Sequence, residues 1–230
     1  TGNGYWADIM ENDGYDSFSE IFIKQEYLNL LPNKKINRIV DIGAHYGYFS
    51  LWLQSKFPKS EIDSVLIEPS PRSCRSLEHL VKLKSLNGRF RYINKAIGNA
   101  KNKHSHFYDR PHMASSIFAS TLRSEDSIEV ERLCETELLC EYPPPYDLIK
   151  CDIEGAEWDF IQNYGSIIGK THYLLLEWHS WHSGGNGFPQ LENKLKELGF
   201  KITKKTSPES ASGRDGQVGL LLAENQQLQF

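Results

Sequence analysis

Ile39-Val40-Asp41-Ile42-Gly43-Ala44-His45-Tyr46-Gly47-Tyr48-Phe49 decides the fold. Ile39, Val40 and Ile42 surround a single acid and predict a buried parallel strand. Gly43 and Gly47 open a turn, after which Tyr48, Phe49, Leu51, Trp52 and Leu53 return at helical spacing. Strand, glycine turn and helix make the first half of a nucleotide-type binding unit. The glycines are expected to let a ligand approach the backbone, and the helix N-terminus offers N–H groups to an anion.

The spacing selects the ligand. A dinucleotide turn wants Gly-x-Gly-x-x-Gly, whereas the stretch reads Asp-x-Gly-x-x-x-Gly across Asp41, Gly43 and Gly47. A phosphate-cradling loop needs a Lys after its last glycine, and none follows Gly47. An acid in the first position suits a ligand that carries positive charge beside a carboxylate. S-Adenosylmethionine, with its ammonium, carboxylate and sulfonium, meets that description.

Working outward, Val65-Leu66-Ile67-Glu68-Pro69 predicts a second strand ending in an acid. Glu68 stands where a nucleoside-binding fold uses a carboxylate to accept ribose hydroxyls. Ser70-Pro71 starts the next helix, with Ser as cap and Pro in the first turn. Phe90, Tyr92 and Ile93 make a third strand, followed by Ala96-Ile97-Gly98. A second informative run is Leu148-Ile149-Lys150-Cys151-Asp152-Ile153-Glu154-Gly155-Ala156-Glu157, a strand with acids beyond its C-terminal end. Ligands of open α/β sheets lie at those ends, so Asp152 and Glu154 belong beside the ligand. Glu157 is either a third acid of the site or a cap on the turn. Tyr173 to Trp178 is a fifth strand, whose Glu177 and following His179 alternate onto one face. Trp178 and Trp181 both suit the core; Trp181, in the glycine-rich loop with His182, equally suits an apolar wall for a ring-shaped acceptor. Phe200–Thr206 and Val218–Ala223 complete the sheet as an antiparallel hairpin.

Before the first strand, apolar residues from Phe18 to Leu31 predict an amphipathic helix ended by Pro32. Residues 1–35 are thus a helical lead-in and 36–230 the main domain. Residues of about 99–145 break the alternation as an insertion: His104–Ser120 predicts a hairpin, and Met113-Ala114-Ser115-Ser116 is placed to bend over the site.

With 230 residues the chain can bury one substantial core. A net charge of −4 without a long basic run argues against a nucleic-acid partner. No apolar run reaches membrane-spanning length. Cys74, Cys134, Cys140 and Cys151 form no Cys-x-x-Cys pair and read as reduced thiols of a cytoplasmic protein, not as a zinc site. The chain opens at Thr1 without Met, so it is expected to be one domain of a longer polypeptide.

In order, Val40–Gly47, Glu68–Pro71, Ala96–Gly98, Leu148–Glu157 and Leu176-Glu177-Trp178-His179 resemble the motifs of FkbM-type methyltransferases over roughly residues 36–225. The family usually carries Asn where His45 stands. The resemblance implies a class I S-adenosylmethionine-dependent enzyme: a Rossmann-like α/β fold with a seven-stranded, mostly parallel sheet, an antiparallel last strand, and helices on both faces. It implies methylation of hydroxyl oxygens on sugars or polyketide-type small molecules.

The expected cofactor contacts are Asp41, Gly43, His45, Gly47, Tyr48, Glu68, Pro69, Ala96 and Asp152. A hydroxyl needs a base before it attacks a methyl group. His179 and Asp152 are the candidates, oriented by Glu154 and Glu177, with Ser115, Trp181 and His182 facing a sugar or glycan acceptor. An alternative has Asp152, Glu154, Glu177 and His179 holding a divalent metal. Two rival readings are an NAD-dependent oxidoreductase, which the missing third glycine disfavours, and a non-catalytic cofactor-binding domain.

Overall fold

A computed structural model of the protein describes residues 12–98, 102–110, 115–118, 127–180, 187–210 and 216–228. The centre of the sheet is β1 (Arg38–Ile42), with β2 (Asp63–Ile67) and β7 (Tyr146–Cys151) parallel to it on either side. β3 (Phe90–Ile93) continues beyond β2, and β8 (Thr171–His179) beyond β7. β11 (Gln217–Asn225) runs antiparallel to β8. Its other edge is shared by β9 (Phe200–Lys205) and the two-residue β10 (Glu209–Ser210). Eight strands therefore occupy seven positions, and the expected terminal hairpin is present.

Strand order reverses at β1. The chain steps outward through β2 and β3, then returns to β7 on the opposite side, leaving a crevice at the C-terminal ends of β1 and β7.

Period-two alternation feeds two cores. Ile39, Leu66, Leu148 and Leu175 pack on one face against α2 (Tyr48–Lys56) and α3 (Pro71–Val81). Val40, Ile42, Ile149 and Leu174 pack on the other against α4 (Glu135–Glu141), α5 (Glu157–Asn163), α6 (Gly165–Ile168) and α7 (Phe188–Glu197). Burial of both faces explains why these strands read as continuous apolar runs. Ser70 caps α3 by accepting from the Ser73 N–H, as its sequence predicts. Trp178 is core, packed on Phe188.

The amphipathic helix expected through Leu31 does not form. α1 (Asn12–Phe18) passes into a π-helical turn, Ser19–Lys24, and Gln25 ends it in the left-handed region at φ 52°. The cause is burial geometry. Ile21 and Tyr27 both enter the same core cluster, yet six residues apart on an α-helix they would lie about 120° apart. The interruption brings Tyr27 onto Phe49, with ring centroids 5.1 Å apart.

The insertion also differs from expectation. β5 (His104–Phe107) pairs with β6 (Ile128–Leu133), and β4 (Ala96–Ile97) adds in parallel to make a small second sheet; within 104–120 the described pairing is one antiparallel bridge. That bridge joins Tyr108 and Ser116. Among the described residues no helix is long and apolar enough to cross a membrane.

Candidate functional site

A cavity of about 310 Å³ opens where the strand order reverses, within the size range of small-molecule sites. Gly43, His45, Glu68, Pro69, Ala96, Asp152, Glu154, Glu177, His179 and Ser115, all singled out from sequence, line it.

The glycines serve packing first. A Cβ on Gly43 would lie 1.8 Å from the Asp152 carbonyl oxygen, and Gly43 sits at φ +70°. Its lack of a side chain lets the ends of β1 and β7 close on each other. A Cβ on Gly47 would lie 2.4 Å from Leu80 Cδ2, so this glycine admits α3. Gly43 lines the cavity, whereas Gly47 packs against Leu77 and Leu80 of α3.

Asp41 is likewise turned inward. Fully buried, it accepts from Ser50 Oγ at 2.8 Å and lies 3.8 Å from Lys150 Nζ. Asp41 and Lys150 are register partners on β1 and β7, so both side chains leave the same face of the sheet. Lys150 Nζ donates to the Gly43 carbonyl at 2.9 Å and stands 3.5 Å from Asp152. Burial opposes its charge, but Asp152, Asp41 and Glu177 outweigh burial and hold Lys150 above its ordinary range. Burial raises the Asp41 carboxyl, against the pull of Lys150 and Ser50. Lys150 was missed as a site residue, although a Lys inside the apolar run Leu148–Cys151 is the kind of signal that marks one. Tyr48 is buried too, edge-on to Phe18 and Phe22.

Glu68 faces the cavity with both oxygens fixed. His45 N–H donates to Oε2 and Ser70 N–H to Oε1, each at 2.8 Å. Burial pushes the carboxyl up to about 7, against these two backbone donors. His45, at φ 51°, turns the backbone so that its amide can reach.

At the ends of β7 and β8 the acids are organised by Glu157. Its Oε1 accepts from Ile153 N–H, Gly155 N–H and His179 Nδ1, at 3.0, 3.1 and 2.9 Å. Glu157 is therefore the cap on the turn and, at the same time, the carboxylate that orients the imidazole. His179, 4% exposed, has Nε2 3.9 Å from Glu177. Burial lowers the imidazole, but the charge and hydrogen bond of Glu157 push it up to about 10. Glu157 thus favours the protonated ring. Burial and the neighbouring Asp152 raise Glu177, with His179 pulling the other way. Asp152, Glu154 and His179 each offer a ligand atom within 4.8 Å of one another.

The remaining walls come from the N-terminal segment and the insertion. The N-terminal segment contributes Ser17, Glu20, Ile21, Glu26 and Tyr27, and Tyr27 donates to Glu177 Oε2 at 3.5 Å. Burial, then Glu20 and Asp152, raise Glu26 to about 7. From the insertion, Ser116 Oγ donates to the Glu154 carbonyl at 2.9 Å. Ser115 lines the cavity with its hydroxyl donating to Asp109 and to the Arg110 carbonyl. Trp181 and His182 lie outside the described residues.

The residues present fit S-adenosylmethionine. Glu68 is a preorganised carboxylate for paired hydroxyls, and Asp152, Glu154 and Glu177 supply negative charge for an ammonium and a sulfonium.

Comparison with known proteins agrees. The family model "Methyltransferase FkbM domain" matches residues 41–202. Methyltransferase sdnD of Sordaria araneosa is 27% identical over 228 residues, spanning 81% of this chain and 82% of that protein. Methyltransferase 1 of Beauveria bassiana (strain ARSEF 2860) is 26% identical over 181 residues, spanning 69% of this chain and 68% of that one. Among solved structures, Methyltransferase FkbM from Methylobacillus flagellatus KT shares the fold with a TM-score of 0.54 and 14% identity, covering 92% of this chain and 50% of that chain. A SAM-dependent methyltransferase of Leishmania major does so at 0.52 and 14%, covering 92% and 74%. Matched over well more than half its length, the chain belongs to the FkbM methyltransferase family and is an S-adenosylmethionine-dependent methyltransferase.

Proposed function

We propose that the protein methylates a hydroxyl oxygen of a sugar or glycan. S-Adenosylmethionine, when bound, supplies an electrophilic methyl group on a sulfonium. Glu68, Pro69, Gly43, His45 and Ala96 hold the nucleoside, and Asp152 the methionine end. Asp41, Gly47 and Tyr48 act from behind the wall by fixing the turn. Asp152 or Glu177 accepts the acceptor's one hydroxyl proton, and Glu154 and His179 orient these carboxylates. One observation carries the reading: a single cavity is lined both by Glu68, with its fixed carboxylate, and by the acid–imidazole group of β7 and β8. Positioning of this kind, with a base in reach, is what a hydroxyl lacks in water.

A polyhydroxylated acceptor is matched by Ser17, Glu20 and Glu26 on the facing wall, since each carboxylate accepts several O–H bonds. A second reading, methylation of a polyketide-type or other small molecule, draws on Ile21, Phe107 and Ile117 of the same lining. We take residues 36–230 as the methyltransferase domain, with the insertion at about 99–145 and the lead-in at 1–35. The free thiols of Cys74, Cys134, Cys140 and Cys151 support action in the cytoplasm. The net charge of −4 supports an acceptor other than nucleic acid.

The test is incubation of methyl-labelled S-adenosylmethionine with nucleotide sugars, oligosaccharides and polyketide-type alcohols. Label appearing in a sugar methyl ether, and lost in Asp152→Asn, is the expected result. Transfer confined to the alcohols moves the assignment to the second reading, and transfer to nucleic acid overturns both.

A further inference from the structure

We propose that Ser116, brought over the site by the insertion, is a positioning residue: by holding the Glu154 carbonyl it fixes the left-handed turn that presents the Glu154 carboxylate to the cavity. The inference rests on the methyl-transfer reading above and names what sets the acceptor side of that site.

The turn after β7 has a conformation that its residue type disfavours. Glu154 sits at φ 54°, in the left-handed region, and Gly155 follows at φ 105°. A residue other than glycine stays in that region only where its surroundings over-determine it. Here the surroundings grip the peptide between the two residues at both ends. Its N–H, on Gly155, donates to Glu157 Oε1 at 3.1 Å. Its carbonyl, on Glu154, accepts from Ser116 Oγ at 2.9 Å. Rotating this peptide plane would break both bonds. One restraint comes from the turn itself, the other from a residue 38 positions earlier in the chain. With the plane held, Glu154 lines the cavity, and a carboxylate oxygen lies within 4.8 Å of an Asp152 oxygen and a His179 nitrogen.

Ser116 is fixed to make that bond. It is buried, and its Oγ accepts from the Phe118 N–H at 3.3 Å, which leaves the hydroxyl proton for the Glu154 carbonyl. Its backbone is paired both ways with Tyr108: Tyr108 N–H donates to the Ser116 carbonyl at 2.8 Å and Ser116 N–H to the Tyr108 carbonyl at 3.2 Å. Beside Tyr108, Asp109 accepts from Ser70 Oγ at 3.1 Å and from Arg72 Nη2 at 3.2 Å. Ser70 N–H is one of the two donors that fix Glu68. The insertion thus reaches behind both acids, through Asp109 on the nucleoside side and through Ser116 on the acceptor side. A hydroxyl that served only the insertion's own turn would donate within it; this one donates to the end of β7.

The test is amide hydrogen exchange on the full chain, read residue by residue by NMR. In Ser116→Ala the Gly155 amide should exchange about fivefold faster or more, because a hydrogen bond holding its peptide is gone. The Val40 amide, inside β1, should keep its rate. Ser116→Thr, which retains the hydroxyl, should stay within about twofold of wild type at Gly155. Cooperative melting of each variant verifies its fold. An unchanged Gly155 rate in Ser116→Ala overturns the inference. So does equal acceleration at Val40, or a Thr variant as fast as the Ala variant. Turnover gives a second readout, with methyl-labelled S-adenosylmethionine and whichever acceptor of the panel above takes most label. In Ser116→Ala, kcat should fall about tenfold or more while KM for S-adenosylmethionine stays within about twofold. A raised KM with kcat intact overturns the role. Isothermal titration with S-adenosylhomocysteine separates the two readings. Binding of it with an unmoved Gly155 rate removes Ser116 and leaves methyl transfer standing. A faster Gly155 amide without any such binding keeps the hold of Ser116 on the turn and removes the cofactor placement.

Discussion

Two strand ends carry the same kind of signal, an acid followed closely by glycine, and use it in opposite ways. At the end of β1, Asp41 is sealed from the cavity and spent on Ser50 and Lys150. At the end of β7, Asp152 lines the cavity, with its side chain 26% exposed. Spacing along the chain is close at the two ends, glycine following the acid by two residues at β1 and by three at β7. What differs is side-chain direction. Asp41 lies within the strand, where its neighbours on β2 and β7 close over it. Asp152 comes one residue after β7 ends, where the sheet stops covering the chain. At these two strand ends, the acid that faces the cavity is the one that follows its strand.

The contrast predicts that the two ends respond differently to substitution. Lys150→Met should have the largest effect on folding. It leaves Asp41 buried without its cation, a loss of about 3–5 kcal/mol in urea unfolding. A loss under about 1 kcal/mol would show that Asp41 does not depend on that cation in the folded state. Gly43→Ala comes next, at about 3 kcal/mol, because it combines a φ of +70° with a Cβ 1.8 Å from backbone oxygen. Gly47→Ala should cost less, since its nearest obstacle is a leucine methyl group. If the two cost the same, closure of β1 on β7 is not what Gly43 provides.

Asp152→Asn should reverse the pattern. Turnover falls about 10²-fold, whereas the unfolding free energy moves by less than about 1 kcal/mol. Should turnover survive, the acid–imidazole group is not where chemistry occurs.

Glu68 gives the smallest and most specific effect. Its carboxyl titrates near 7 in the folded chain, above its ordinary value. The sign follows: ionising Glu68 costs stability, which is full below about pH 4.5 and is lost as pH rises through 7. Binding has the opposite sense, because only the carboxylate accepts ribose hydroxyls through both oxygens. S-Adenosylhomocysteine affinity should therefore rise about tenfold from pH 6 to pH 8, and Glu68→Gln should flatten that profile. Isothermal titration at three pH values decides it, and a flat wild-type profile would separate Glu68 from the ribose.

The amino-acid sequence by itself determined the architecture: apolar runs such as Ile39–Ile42 and Leu148–Cys151 can only be strands buried on both faces, and their alternation with helices requires a parallel sheet. It also determined the residues collected at the sheet's C-terminal edge, because period-two alternation and strand ends are local properties of the chain. Tertiary structure decided what those residues do. Whether Asp41 meets ligand or lysine, whether Glu157 or solvent faces His179, and whether Glu20 and Glu26 reach the cavity depend on contacts between segments tens to more than a hundred residues apart. Such contacts are set by close packing in three dimensions, to which no periodicity within one segment refers.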